Sequence, residues 1–403
     1  MALVASTVAA NAAGAADKAP MRIAAIDPTS GMFAAIGDWS IENLKFNSGI
    51  INQEGGVDGH KIEIVPLDNA MSTQKTLVQF HKAVNEGIRY IAQNNGDPAA
   101  FAILNAAKQY NERNPKDPVM FLNYGAINDK FTNQDCNFYS FLFDATISMK
   151  MNALTNWIEK QKNIHKIFLF NQDYVFGHDV AKTAREMLAK KRPDIKIVGD
   201  TFIPLATVQD FTPYVTQIKA SGADAVITGN WGTDMSLFVK AAAQAGLDIP
   251  LLTYYGGTVG TVSAVGQAGV NRIYEAWGWD SDLTPEQGAL EEKMYKTTHY
   301  DNSDIRSIYM FNLLKEAGDK AHSINPTKIA FALENMHFKG PVGDVWMRGD
   351  DHQIQMPIVI SVMQDNMKYG LEGTHFGFHG IDTIQAAETS LPTSCKMKRP
   401  ANS

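Results

Sequence analysis

Short apolar runs at 22–27, 61–67, 88–93 and 119–123 alternate with amphipathic stretches at 38–52, 72–86 and 98–111. Each strand–helix step takes roughly 30 residues, the length of a parallel crossover unit. An antiparallel pair can turn in two residues, whereas a parallel pair needs a crossing segment, usually a helix. The rhythm therefore confines the chain to an α/β architecture with parallel sheets. It weakens over 138–146 and resumes with strand runs at 166–171, 195–200, 225–229, 251–255 and 272–277. Helical patterns at 147–160, 177–191, 211–220 and 234–245 fall between them. Two successive α/β halves are expected. Further helical patterns follow at 285–300, 305–321 and 326–334, and antiparallel-looking runs at 343–348 and 355–364.

Parallel sheets place ligands outside the carboxyl ends of their strands. The first run, Met21-Arg22-Ile23-Ala24-Ala25-Ile26-Asp27, stops at Pro28-Thr29-Ser30-Gly31, ahead of Gly37-Asp38 and a long amphipathic segment. That turn offers a hydroxyl and backbone N–H groups where a helix begins. It reads either as a contact for polar ligand groups or as a plain helix cap. Two halves leave a cleft between them, where small molecules bind.

With 403 residues the chain is long enough for two domains, and 45% hydrophobic with 20% charged residues is an ordinary globular composition. A net charge of −7 supplies no basic excess for phosphates, which argues against nucleic acid or an anionic membrane as partner. No apolar run reaches the ~18 residues of a bilayer-spanning helix. Residues 1–20 differ from the rest: they are rich in Ala, with Ala-x-Ala triplets at Ala10-Asn11-Ala12 and Ala13-Gly14-Ala15. They read as a signal-peptide remnant lacking its positive start, or as a flexible Ala-rich tail. The two cysteines, Cys136 and Cys395, form no metal-binding cluster. In an exported protein they would pair as a disulfide; otherwise they are two unrelated thiols.

Catalytic signatures are missing. There is no phosphate loop of the G-x-x-x-x-G-K-[ST] type and no G-x-S-x-G nucleophile elbow. Gly256-Gly257-Thr258-Val259-Gly260 lacks the dinucleotide spacing, and the His375/His379 pair has no carboxylate motif to complete a zinc site. No enzyme, cofactor or metal is expected.

Several motifs in order resemble the extracytoplasmic solute-binding proteins of ABC importers, in the leucine/isoleucine/valine-binding class. They include Ser30-Gly31 with Gly37-Asp38, Asn52-x-x-Gly55-Gly56-Val57-x-Gly59, and Asp68 after the second strand. Gly125-Ala126-Ile127-Asn128, Asp173-Tyr174-x-Phe176-Gly177, Phe211-Thr212-x-Tyr214-x-x-x-Ile218-Lys219 and Ala223-Asp224-Ala225-Val226 continue the set. The resemblance implies two Rossmann-like lobes joined by three crossover strands. The expected lobes are 21–144 plus 277–340 and 145–276 plus 341–403, closing on a small molecule by hinge bending. It further implies a periplasmic, monomeric protein that delivers its ligand to ABC permease membrane subunits. A sensory module of the same fold is the alternative.

By that resemblance the ligand contacts are Ser30, Asn95, Gly96, Asp97, Gly125, Ile127, Phe176, Trp231, Tyr255 and Gly256. Three of them depart from the amino-acid-binding pattern. Asp97 stands where the family uses a serine for the α-carboxylate, Ile127 replaces a threonine, and Gly256 lies where an acidic residue holds the ammonium. Phe176 and Trp231 keep an aromatic wall. A free branched-chain amino acid is therefore disfavoured, and a flat aromatic or amide-like compound is expected instead.

Overall fold

The computed structural model describes residues 18–401; the expected signal remnant falls, up to residue 17, outside the described residues. Strands β1 (Met21–Asp27), β2 (Ile62–Asp68), β3 (Tyr90–Gln93), β4 (Met120–Asn123) and β5 (Ser140–Leu142) form one sheet. It is parallel throughout, in the order β2-β1-β3-β4-β5. Helices α1 (Ala34–Gln53), α2 (Thr73–Asn85) and α3 (Asp97–Arg113) supply its crossovers. After α4 (Ile147–Glu159) the same construction repeats. Strands β6 (Lys166–Gln172), β7 (Lys196–Ile203), β8 (Ala225–Ile227), β9 (Leu251–Thr253) and β10 (Ile273–Trp277) alternate with α5 (Val175–Lys191), α6 (Thr212–Ser221), α7 (Gly232–Gln244) and the short α8 (Thr261–Val265).

The chain then returns to the first sheet through α9 (Pro285–Thr298), α10 (Ile305–Ala321) and α11 (Pro326–Leu333). Tyr90 on β3 donates its hydroxyl to the Ile324 carbonyl, and α10 packs on α1. A small antiparallel sheet follows: β11 (His337–Lys339), β12 (Asp344–Met347) and β13 (Ile354–Gln355). Strands β14 (Ile358–Gln364) and β15 (Gly377–Ile384) join the second sheet antiparallel, giving the order β15-β14-β10-β9-β8-β6-β7. Helix α12 (Ala386–Thr389) and an extended tail end the chain.

Single-run expectations changed in two places. The run at 355–364 is two strands, interrupted at Met356-Pro357, where the chain leaves the small sheet for the larger one. Proline cannot donate to a ladder, so pairing stops there. Strands β5 and β15 had no sequence expectation. The first is only three residues long, and the second alternates buried and exposed positions around polar residues.

Cores form where buried faces meet. Ala24, Ile26, Ile91 and Phe121 pack one face of the first sheet against α2 and α3. Ile23, Ala25, Leu122 and Leu44 pack the other face as part of a core that runs on into the second sheet. Helix α1 passes so close to the β1 turn that a Cβ on Gly37 would lie 1.9 Å from the Pro28 carbonyl oxygen. Only glycine permits that approach.

Cys136 and Cys395 are joined by a disulfide, with Cα atoms 5.8 Å apart and a sequence separation of 259. The tail beside it is tied down by Thr393 Oγ1 donating to the Thr132 carbonyl and Arg348 Nη1 donating to that of Leu391.

Candidate functional site

In both sheets the strand order reverses at one point, between β1 and β3 in the first and between β6 and β8 in the second. Crevices open at such points beyond the carboxyl ends of the strands. Here the two crevices face a shared cavity of about 120 Å3. That is comparable to the roughly 150 Å3 that holds one benzene molecule.

Asp27, the last residue of β1, organises the first side. Its carboxylate accepts from the Asn94 and Asn95 backbone N–H groups at 3.0 and 3.2 Å and from the Tyr124 hydroxyl at 2.9 Å. Burial pushes Asp27 up to about 6, against the pull of those hydrogen bonds. The loop it holds brings Asn95, Gly96 and Asp97 to the cavity wall. Gly125 and Ile127 join them, and a Cβ on Gly125 would sit 1.8 Å from Asn94 Oδ1.

Asp97 opens α3 and is 5% exposed, with Oδ2 lacking any partner among the described residues. Burial raises its carboxyl to about 7, against the pull of the nearby Asn128 amide and with the charges of Asp179 and Asp129 adding to the rise. A group of that kind is partly protonated at neutral pH, so it can donate as well as accept.

The second sheet contributes an aromatic wall. Tyr174 and Phe176 follow β6, Trp231 follows β8, and Tyr254 and Tyr255 follow β9. Trp231 Nε1 donates to the Tyr174 hydroxyl at 2.9 Å, and the Phe176 ring lies 5.9 Å from those of Tyr174 and Tyr255. Trp231 also packs on Phe33, with ring centroids 5.3 Å apart.

Charged groups lie in the cavity wall and just behind it, which the sequence did not announce. Lys150 on α4 is 1% exposed, with Nζ 3.0 Å from Asp144 Oδ1 and 4.1 Å from the Trp277 ring centroid. Burial lowers it to about 8, although Asp144 favours its charge. Arg306, near the start of α10, donates from Nε to Asp304 Oδ1 at 2.6 Å and lies over Trp277 at 4.9 Å. Burial opposes the Arg306 charge, but Asp304 and Asp144 more than offset this and hold it protonated. Glu275 on β10 accepts from the Gly257 N–H at 2.9 Å and is pushed by burial up to about 8.

Eight of the ten expected contacts line this cavity: Asn95, Gly96, Asp97, Gly125, Ile127, Phe176, Trp231 and Tyr255. Ser30 and Gly256 do not. The Ser30 hydroxyl is committed to Asp68 Oδ2 at 2.6 Å, which makes it part of the turn beside the site. Gly256 is turned toward β10, where a Cβ would meet Ile273 Cγ2 at 2.6 Å; its neighbour Gly257 reaches the wall instead. Sequence reasoning missed Trp39, Glu275, Trp277 and Arg306. One signal was present: a lone acid inside the otherwise uncharged run Ile273-Tyr274-Glu275-Ala276-Trp277.

The Glu275 carboxyl yields a pH prediction. Its folded-state value lies above its ordinary one, so its contribution is fully present below about 4.5 and is lost as pH rises through about 8. Between pH 5.5 and 7.5 this alone should lower stability by about 2 kcal/mol. Urea midpoints at the two pH values measure it. Glu275→Gln, neutral throughout, should lose that part of the difference; an unchanged difference would refute the assignment.

Among the described residues, no group of three or more His, Cys, Asp or Glu side chains is placed to hold a metal ion. No helix of the described residues is long and apolar enough to cross a membrane.

Residues 20–368 match the family described as periplasmic binding protein. The Leu/Ile/Val-binding protein homolog 4 of Brucella abortus (strain 2308) is 31% identical over 404 residues, covering 97% of this chain and 95% of that relative. A solved leucine-, isoleucine-, valine-, threonine-, and alanine-binding protein from Brucella ovis, in a closed conformation, superimposes with a TM-score of 0.85 at 30% identity. That match covers 94% of this chain and all of the other. A solute binding protein of an ABC transporter from Rhodopseudomonas palustris BisB5, solved with 3,4-dihydroxy benzoic acid, shares the fold at 20% identity, with a TM-score of 0.78. It covers 91% of this chain and 98% of its own.

Proposed function

The chain belongs to the periplasmic binding protein family, and from that premise we propose that it is the solute-capturing component of an ABC importer. It is exported to the periplasm and works as a monomer, taking one small organic molecule between its two sheets and delivering it to membrane permease subunits. The lobes are 21–144 plus 277–340 and 145–276 plus 341–403, and they close on the ligand by hinge bending. Asn95, Asp97, Ile127, Phe176, Trp231 and Tyr255 contact it.

The observation that carries the reading is the cavity at the two strand-order reversals, sized for one ring and walled by aromatic side chains. Nothing in it is arranged as a nucleophile with a base. The Brucella abortus relative is named a homolog of a Leu/Ile/Val-binding protein, and the Brucella ovis one a leucine-, isoleucine-, valine-, threonine-, and alanine-binding protein. This cavity instead supports a flat ligand with an apolar body, because two wall positions expected to read a zwitterion carry Asp97 and Ile127.

Thermal unfolding of the ligand-stripped chain tests this against amino acids, small amides and aromatic acids. A true ligand at 100 times its Kd adds about 2.7 kcal/mol. For a chain of 403 residues that is a rise of about 3 °C. Stabilisation by a flat ring compound is expected. Stabilisation by leucine, isoleucine or valine alone would overturn the ligand class, and no stabilisation by any compound would overturn the binding reading itself.

A further inference from the structure

We infer that Arg306 anchors a carboxylate of the ligand, while Asp97 meets a hydroxyl or amine at a distance along the same molecule, so that the ligand class is an aromatic acid bearing a hydrogen-bond donor. The inference rests on the solute-binding reading above and sharpens it.

Arg306 is 4% exposed, yet its guanidinium forms part of the cavity wall. Its Nε is spent on Asp304. Nη1 lies 3.7 Å from Asp144 Oδ2, outside hydrogen-bond reach, and neither terminal nitrogen makes a hydrogen bond among the described residues. A buried guanidinium with two unused donors is an incomplete arrangement. Trp277 at 4.9 Å, with Trp39 and Tyr124 at 5.9 Å, flank the group. A planar fork held in this way matches the two oxygens of a carboxylate, and a lysine could not replace it. Lys150, the neighbouring buried cation, is already engaged by Asp144 and does not reach the cavity wall.

Asp97 supplies the second, independent observation: a buried carboxyl oxygen with no partner, in the wall of the same cavity. The two groups sit on different elements with different partners: Asp97 opens α3 after β3, whereas Arg306 lies on α10 against Asp304 and Trp277. A substituted ring carries its acid and its donor on separate carbons and can serve both. Its faces would meet Phe176, Tyr255 and Trp231, where ring contacts add to the burial.

The test is calorimetric titration of the ligand-stripped full chain with 4-hydroxybenzoate, with 4-hydroxybenzamide, which has the same shape without the charge, and with leucine. The acid should bind about tenfold or more tightly than the amide. Arg306→Gln should erase that preference, and Arg306→Lys should keep only part of it. Asp97→Asn should leave the preference in place while reducing the advantage of 4-hydroxybenzoate over benzoate. Equal binding of acid and amide to the native chain, or a preference that survives Arg306→Gln, would overturn the inference. Should Arg306→Gln not fold, the native comparison and Arg306→Lys decide. Binding of leucine with neither ring compound overturns this inference and leaves solute binding intact; silence across the whole thermal panel overturns both.

Discussion

Replacing Cys136 and Cys395 together by serine should lower the unfolding free energy by about 5 kcal/mol. The disulfide closes a loop of 259 residues that contains every strand of the second sheet. In the chain-entropy account, a cross-link that long removes much of the freedom of the unfolded chain. For a chain of 403 residues the loss corresponds to a melting temperature lower by about 6 °C. The folded state should change little, because Thr393 and Ser394 still bond to Thr132 and Asn133. Equilibrium unfolding of the double variant beside the native protein, each with and without reductant, gives the answer. Reductant should shift only the native protein, and to the level of the variant. Identical midpoints for variant and native protein would show that the bridge contributes nothing.

Asp144→Ala should cost about 3–5 kcal/mol, the usual penalty for leaving a buried charge without its partner. Lys150 and Asp144 are each 1% exposed, and Asp144 also faces Arg306. Without Asp144 the two cations are left with less negative charge than they need. The deficit should depend on pH. Lys150 has a folded-state value near 8, below its ordinary 10.5, so the unfolded chain holds more protons in that window and stability rises with pH across it. The variant should therefore fall furthest behind the native protein below about pH 8 and recover part of the difference at pH 9. Urea unfolding at pH 6 and pH 9 measures both ends. Adding Lys150→Met to Asp144→Ala should restore much of the loss, since an apolar replacement removes the unpaired charge. A deficit equal at both pH values would mean that Lys150 is not the group being stranded.

Both effects centre on the places where the chain passes between its sheets. Asp144 sits between β5 and α4, and its carbonyl accepts from Gln353 Nε2 at 2.7 Å beside β13. Leu142 pairs with Gln353 in an isolated parallel bridge. His352 stacks on Phe141 with ring centroids 4.0 Å apart, and its other neighbour is Glu334 at 3.1 Å. Apart from the His352–Glu334 pair, these contacts join segments some 200 residues apart. No local pattern could have paired them.

The strand–helix rhythm was legible because it is local. A strand buried on both faces must be an apolar run, and its crossing helix must be amphipathic, wherever the strand later pairs. That periodicity located β1 to β4 and β6 to β10, and with them the loops beyond their carboxyl ends. Asn95, Asp97, Ile127, Phe176 and Trp231 are named through the family resemblance, and each lies in a loop beyond such a strand. Ser30 and Gly256 follow strands too, yet they miss the cavity: Asp68 holds one away, and the other is packed on Ile273. Position after a strand fixes a neighbourhood, whereas side-chain direction depends on partners distant in sequence.

The charged groups at and behind the cavity wall show the limit most clearly. Lys150, Arg306 and Glu275 come from α4, α10 and β10, three elements with no shared motif, and each alone reads as an ordinary charge. Only the packing of the two sheets against each other brings them together under Trp277 and removes them from water. Their altered proton affinities and the unused donors of Arg306 are consequences of that burial. Architecture thus follows from local alternation of apolar and polar residues, which each segment carries within itself. The polarity of the site follows from desolvation and long-range convergence, which exist only once the chain has folded.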